Sequence, residues 1–252
     1  MKKITLFFLL LAAGFIVSAQ HVYFAAAKNG LSLREKPGTS AAVLDKIPYG
    51  EKITSVADSD PSLAISTEGF NGYWWKVSYK NKTGYIVSSY VLPVAPPRAD
   101  VKDFKAYFGQ VSAPADKPLQ IKKVSPELQE AGELSLTKQL YKNGMEWHET
   151  QGYEYGSRVY ILPDFSMEQG FLLLRLLGQY AELVGEKDSY PTKSSTLKID
   201  GGEKAIEVQR EKTDGKPGEI KKIRIVSTQG AYTEFEMFLL DTQLVIYWSS
   251  GV

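Results

Sequence analysis

The chain contains no cysteine. Disulfides therefore cannot stabilise it, and thiolates are missing as nucleophiles and metal ligands. A papain-like peptidase, which needs a Cys–His pair, is excluded on that ground. Histidine is nearly as scarce, with only His21 and His148 present. A zinc amidase or metallopeptidase usually needs at least two histidines and a carboxylate, and these two stand in different halves of the chain. Net charge is lacking too, at a formal +1. No electrostatic footprint points to nucleic acid or to an anionic membrane surface as partner. A G-x-S-x-G elbow, a P-loop and a Rossmann glycine pattern are also absent, so neither a serine hydrolase nor a nucleotide cofactor is expected, and no metal site either.

One long apolar run is present, and it stands first. Lys2 and Lys3 precede Leu6 to Val17, and Val17-Ser18-Ala19 puts small residues at the −3 and −1 positions of a cleavage site. The run is short for a membrane span, and the absence of cysteine excludes lipoprotein anchoring. Residues 1–19 are expected to be a signal peptide, with an uncleaved anchor as the alternative. Cleavage before Gln20 removes two lysines and turns the formal charge from +1 to −1. The expected location is periplasmic or extracellular.

Residues 22–93 alternate and break as short strands do. Leu31 and Leu33 alternate with Ser32 and Arg34 between the turn signals Asn29-Gly30 and Lys36-Pro37-Gly38. Val43 and Ile47 carry a strand that Pro48-Tyr49-Gly50 ends, and Ile53 and Val56 carry another. A polar loop is expected from Asp58 to Gly72. The stretch WWKVSYKNKTGYIVSSYV, residues 74–91, then reads as two strands around a polar turn. Five short strands in this length describe a small, bent β-barrel. Trp75 shares the parity of Val77 and Tyr79 and is expected inside or capping the barrel core, leaving Trp74 and Lys76 on the other face.

The ordered elements Gly30-Leu31-Ser32-Leu33-Arg34-Glu35-Lys36-Pro37-Gly38, Val43 to Gly50 and the 74–91 hairpin resemble the bacterial SH3 domain. The closing hairpin also resembles that of the eukaryotic SH3 domain. Val87 replaces its final-turn proline, and Arg34-Glu35-Lys36 replaces its acidic first loop, which argues against proline-motif recognition. The resemblance implies a groove bordered by Trp74 and Tyr90, with Tyr49 and Arg34 as further ligand-binding candidates. Trp74 is open to two readings, a ligand groove or packing against the rest of the chain. Domains of this type often accompany cell-wall hydrolases, so a cell-wall fragment or an envelope protein is the expected partner.

Pro93-Val94-Ala95-Pro96-Pro97-Arg98 is PPII-prone, and residues 94–104 are expected to be a linker. Its P-x-x-P-x-R spelling is an SH3-ligand pattern, read here as a linker because it follows the last strand directly. Residues 105–252 are expected to form an α+β domain, an antiparallel sheet packed on one main helix. Hairpins are expected around Lys142-Asn143-Gly144, Asp214–Gly218 and Asp241-Thr242, with Glu207, Gln209 and Glu211 facing Lys222 and Arg224. Ser166 with Gln169 forms a capping box for a helix expected to run to about Val184 and end at Gly185. Its polar stripe is Glu168, Arg175, Gln179 and Glu182.

Carboxylates and tyrosines are what remains for chemistry. Glu146 and His148 share a strand face, with Glu154 and the tyrosines 153, 155 and 160 nearby. Three functions stay open: a non-catalytic envelope binding protein, a carboxylate-dependent wall or glycan hydrolase, and an inhibitor or partner-binding protein acting through the C-terminal sheet.

Overall fold

The computed structural model describes residues 22–56, 60–212 and 218–251. The expected signal peptide, His21 and the centre of the 214–218 turn lie outside the described residues. The chain is mostly β, with two antiparallel sheets and few helices. The first sheet holds β1 (Val22–Ala25), β2 (Leu31–Arg34), β3 (Val43–Ile47), β4 (Lys52–Ser55), β5 (Ala64–Thr67), β6 (Phe70–Tyr79), β7 (Lys82–Val87) and β8 (Val91–Leu92). Their order is β3-β2-β7-β6-β4-β1-β8, with β5 paired to β6. Strand alternation turns Leu31, Leu33, Ile53, Val77, Tyr79 and Ile86 into one small core. Lys80 and Asn81, at φ 45° and 60°, close β6 to β7 as a two-residue turn matched to strand twist.

The expected 58–72 loop is corrected by the structure over its described residues, 60–72. It carries a 3₁₀ turn at Pro61–Leu63, then β5 and the start of β6. Glu68 and Gly69, at φ 51° and 79°, form a second two-residue hairpin turn. A polar composition with little strand propensity hid this hairpin, whose stability comes from what its tip touches.

The second sheet holds β9 (Leu119–Lys122), β10 (Ser135–Leu140), β11 (Glu146–Gln151), β12 (Tyr155–Pro163), β13 (Ser195–Ile199), β14 (Gly202–Arg210), β15 (Ile220–Ser227), β16 (Tyr232–Leu240) and β17 (Gln243–Gly251). Its order is β13-β14-β15-β16-β17-β12-β11-β10-β9. The helices are α1 (Phe104–Val111), α2 (Pro126–Glu130) and α3 (Met167–Leu176). The hairpins joining β10 to β11 and β16 to β17 form where the turn residues place them. Glu207 lies opposite Arg224 and Gln209 opposite Lys222, with Arg224 bonded to Glu207 at 3.2 Å. Helices α1 and α3 contribute to the core of this half. Phe104 of α1 meets Tyr160 at 4.6 Å between ring centroids. Gly170 of α3 approaches Leu244 so closely that a Cβ would lie 2.2 Å from its methyl carbon.

Helix α3 starts at its expected capping box, with Ser166 Oγ accepting from the Gln169 N–H. It is shorter than expected, ending at Leu176. Leu177 is extended, at φ −96° and ψ 109°, and the Gln179 N–H donates to the Lys102 carbonyl at 3.0 Å. A straight helix from 166 to 184 would send its apolar residues around the whole circumference. The break at Leu177-Gly178 instead turns Leu177, Tyr180, Leu183 and Val184 all into the core.

The two sheets meet through the β5–β6 hairpin. Phe70 is fully buried, its ring 5.9 Å from Phe171 and 5.4 Å from Tyr190, with the Arg175 guanidinium 5.5 Å from its centroid. Arg175, expected on the polar stripe of the helix, reaches back to Glu68 at 2.7 Å. The Tyr190 N–H donates to the Glu68 carbonyl at 2.8 Å. Gly69 admits this approach because a Cβ there would stand 2.3 Å from the Tyr190 oxygen. The proline-rich segment is pinned as well. Its Ala95, Pro96 and Pro97 carbonyls accept from Tyr107 (3.0 Å), Gln110 (2.9 Å) and Tyr49 (2.8 Å).

Truncating Phe70 removes the aromatic centre of this junction. Phe70→Ala is expected to lower the unfolding free energy by about 3–5 kcal/mol, measured by urea denaturation. A loss below about 1 kcal/mol would show that the hairpin tip is peripheral.

Candidate functional site

A cleft of about 940 Å³ opens where the first sheet faces α3 and the β14–β15 strands. The first sheet contributes Tyr23 from β1 and Asn71, Tyr73 and Trp75 from β6. These three β6 residues are every second residue of one strand, so they share a face. Farther along the strand, that same parity buries Val77 and Tyr79 in the barrel core. Trp75 is half-buried, with Tyr23 against it at 4.6 Å and 70° between ring planes. Such edge-to-face packing holds an indole in one orientation. Burial raises the Tyr23 phenol pKa above its ordinary value.

The opposite wall comes from Ser166, Glu168 and Gln169 at the start of α3, and from Arg210, Glu219 and Leu239. Arg210 is already engaged, donating to the Gly218 and Thr192 carbonyls at 2.8 and 2.7 Å. Gln169 is held by the cap and reaches the Val91 carbonyl at 3.4 Å. Between the walls lie Ser88, Ser89 and Tyr190. Ser88 Oγ accepts from the Tyr73 N–H at 2.9 Å.

The four residues expected to bind a ligand are placed elsewhere. Trp74 is 8% exposed, on the strand face of Phe70 and Gly72, opposite Val87. Tyr90 is half-buried and packs on Phe70, 6.2 Å between ring centroids. Burial first, and then the neighbouring Glu68, raise its phenol pKa to about 12. Tyr49 is tied to Pro97, and burial raises its pKa to about 12. Arg34 donates to the Ala41 carbonyl at 2.6 Å. None of the four lines the cleft. The division of labour between the two indoles is thus altered. Trp75 keeps its predicted parity and caps the barrel core, and it is also the indole that the cleft presents. Tyr23, Tyr73, Ser89 and Tyr190 line the cleft, and the pattern Asn71-x-Tyr73-x-Trp75 is its one signal in the sequence.

The carboxylate cluster of the second sheet is dispersed. Glu146 Oε1 does contact His148 Nε2, as their shared parity predicts, with Lys138 3.8 Å from the same oxygen. Glu154, however, lies beyond the other end of β11, about 17 Å along the strand from Glu146. Paired glycosidase acids stand about 5–9.5 Å apart. The tyrosine cluster also splits, with Tyr160 fully buried and bonded to Tyr180 while Tyr153 and Tyr155 are exposed. A smaller recess of about 430 Å³ contains Glu149, Tyr153, Tyr155, Arg158 and Trp248. Among the described residues, no group of three His, Cys, Asp or Glu could hold a metal ion, and no helix is long and apolar enough to cross a membrane.

Glu149 is the clearest ionic element of that recess. Desolvation opposes its ionisation, but hydrogen bonds from Lys105 and Arg158 outweigh burial and hold its carboxyl below the usual glutamate range. A carboxyl whose pKa is lower in the folded state stabilises the fold above its unfolded pKa, and this is lost as pH falls through the folded value. Urea unfolding across pH 3–6 is therefore expected to show a shallower acid loss in Glu149→Gln than in wild type. Parallel profiles would refute the pairing.

Residues 29–91 match the family model of the bacterial SH3 domain, and this part of the chain is a bacterial SH3 domain. No family model matches the C-terminal half. Comparison with curated proteins and comparison with solved structures each gave no match.

Proposed function

With residues 29–91 identified as a bacterial SH3 domain, we propose that the chain is an exported, non-catalytic envelope protein that binds a cell-wall fragment. The cleft between the SH3 domain and α3 is its binding site. The signal-like start of the chain supports export, and the SH3 domain supports a wall ligand. The observation that carries the reading is the aromatic wall of Tyr23, Tyr73 and Trp75, facing polar groups of the second half across the cleft. Half-buried aromatics offer large contact area at low entropic cost, and fixed polar groups opposite them orient a ligand. Residues 105–252 then act as the second wall of the site: an α+β unit whose nine-stranded sheet packs on α3 and α1.

The hydrolase alternative has less support, because the register keeps Glu146 and Glu154 apart. A partner-binding role for the C-terminal sheet has one observation in its favour. Strand β9 closes one edge of that sheet, and all four of its residues are exposed. Open strand edges accept a further strand.

Co-sedimentation of the full chain with purified peptidoglycan tests the main reading. Saturable binding is expected, and Trp75→Ala should weaken it at least about tenfold, equivalent to about 1.4 kcal/mol. Binding unaffected by Trp75→Ala and Tyr73→Ala would remove the cleft from consideration. Wild-type protein that stays in the supernatant would reject the wall ligand.

A further inference from the structure

Three consecutive carbonyls in the proline-rich segment each accept a hydrogen bond from a different side chain. The Tyr107 hydroxyl donates to Ala95, Gln110 Nε2 to Pro96, and the Tyr49 hydroxyl to Pro97. Tyr49 belongs to the first half of the chain, Tyr107 and Gln110 to α1. Gln110 is used at both ends of its amide, because its Oε1 accepts from the Arg98 N–H at 2.9 Å. Pro96 and Pro97 are buried, whereas Arg98, Ala99 and Asp100 are exposed. Among the described residues, no strand pairs with residues 93–98. The sequence accounts for this backbone. Pro96 and Pro97 fix their own φ, and each keeps the residue before it extended. A polyproline II segment has no internal hydrogen bonds. Its carbonyls are left to water unless donors are placed around them.

We infer that Tyr49, Tyr107 and Gln110 form a polyproline-binding site whose ligand is the chain's own Ala95–Pro97. The site reads backbone carbonyls and not the basic end of the P-x-x-P-x-R pattern. Arg98 is exposed and turns to Asp100 at 3.4 Å instead. The segment is therefore a clasp between the two halves, closed by recognition and not by the tension of a short connection. A ligand carried in the same chain holds its site at high effective concentration. It fills the surface at Tyr49, one of the residues expected to meet an outside ligand, and keeps other proline-rich segments out. This assignment stands whether or not the cleft takes a wall fragment.

Hydrogen exchange of the Arg98 amide in the full chain separates recognition from tension. Tyr49→Phe keeps the ring and deletes the donor to Pro97. It should speed exchange at Arg98 about tenfold, while the amides of β11 and β12 exchange as in wild type. Inserting Gly-Ser-Gly-Ser between the exposed Ala99 and Asp100 relieves any tension without touching the three donors. Exchange at Arg98 should then stay within about threefold of wild type, since loop length costs little. An insertion that speeds Arg98 as much as Tyr49→Phe does would show a taut connection and overturn the site. So would a Tyr49→Phe chain with unchanged exchange at Arg98. Equal acceleration at Arg98 and in β11 and β12 would reduce Tyr49 to general stability and also overturn it.

Discussion

The arrangement depends on one aromatic side chain delivered across a boundary. Phe70 belongs to the first sheet by its backbone and to the core of the second half by its ring. Burying a phenylalanine stabilises by about 1.5–3 kcal/mol, and here that burial, with those of Ala26 and Leu92, places first-half side chains in the core of the second half. The Glu68–Arg175 pair and the Glu68–Tyr190 backbone bond add direction to the non-directional apolar contact. Arg175 also lies over the Phe70 ring, so one guanidinium serves both the ion pair and the aromatic contact.

The cleft is a consequence of that junction. Because β5 and β6 lean onto α3 at their Phe70 end, the opposite face of β6 is left open at Asn71, Tyr73 and Trp75. The same strand therefore does three things along its length. It anchors at Phe70, lines the recess through Trp75, and fills the barrel at Val77 and Tyr79. Pinning of the proline-rich segment by Tyr49, Tyr107 and Gln110 works in the same direction, since it restrains the connection between the sheets.

Much of the local structure was legible from short-range chemistry. The capping box at Ser166, the turns at Gly144 and Asp241, the Glu207–Arg224 pairing and the bacterial SH3 elements all follow from residues close in sequence or from strand parity. Each of these depends on a few neighbouring dihedrals or one cross-strand contact. The features that escaped depend on distant partners. The β5–β6 hairpin looks like a polar loop until Tyr190 and Phe171 are placed against its tip. The helix expected to reach Val184 ends at Leu176 because Lys102 and the core take up the chain beyond it.

The two adjacent indoles show where that boundary runs. Alternation alone separates Trp74 from Trp75 and assigns Trp75 to the face of Val77, because neighbouring strand residues must point to opposite sides. Which face is then covered is a matter of what packs against the sheet from outside it. The junction at Phe70 lies on the face of Trp74, which is nearly fully buried, while the cleft opens on the face of Trp75. Parity is a property of the backbone and can be read from neighbours in the chain. Exposure depends on packing between segments far apart in sequence, so it emerged only when both halves were in place.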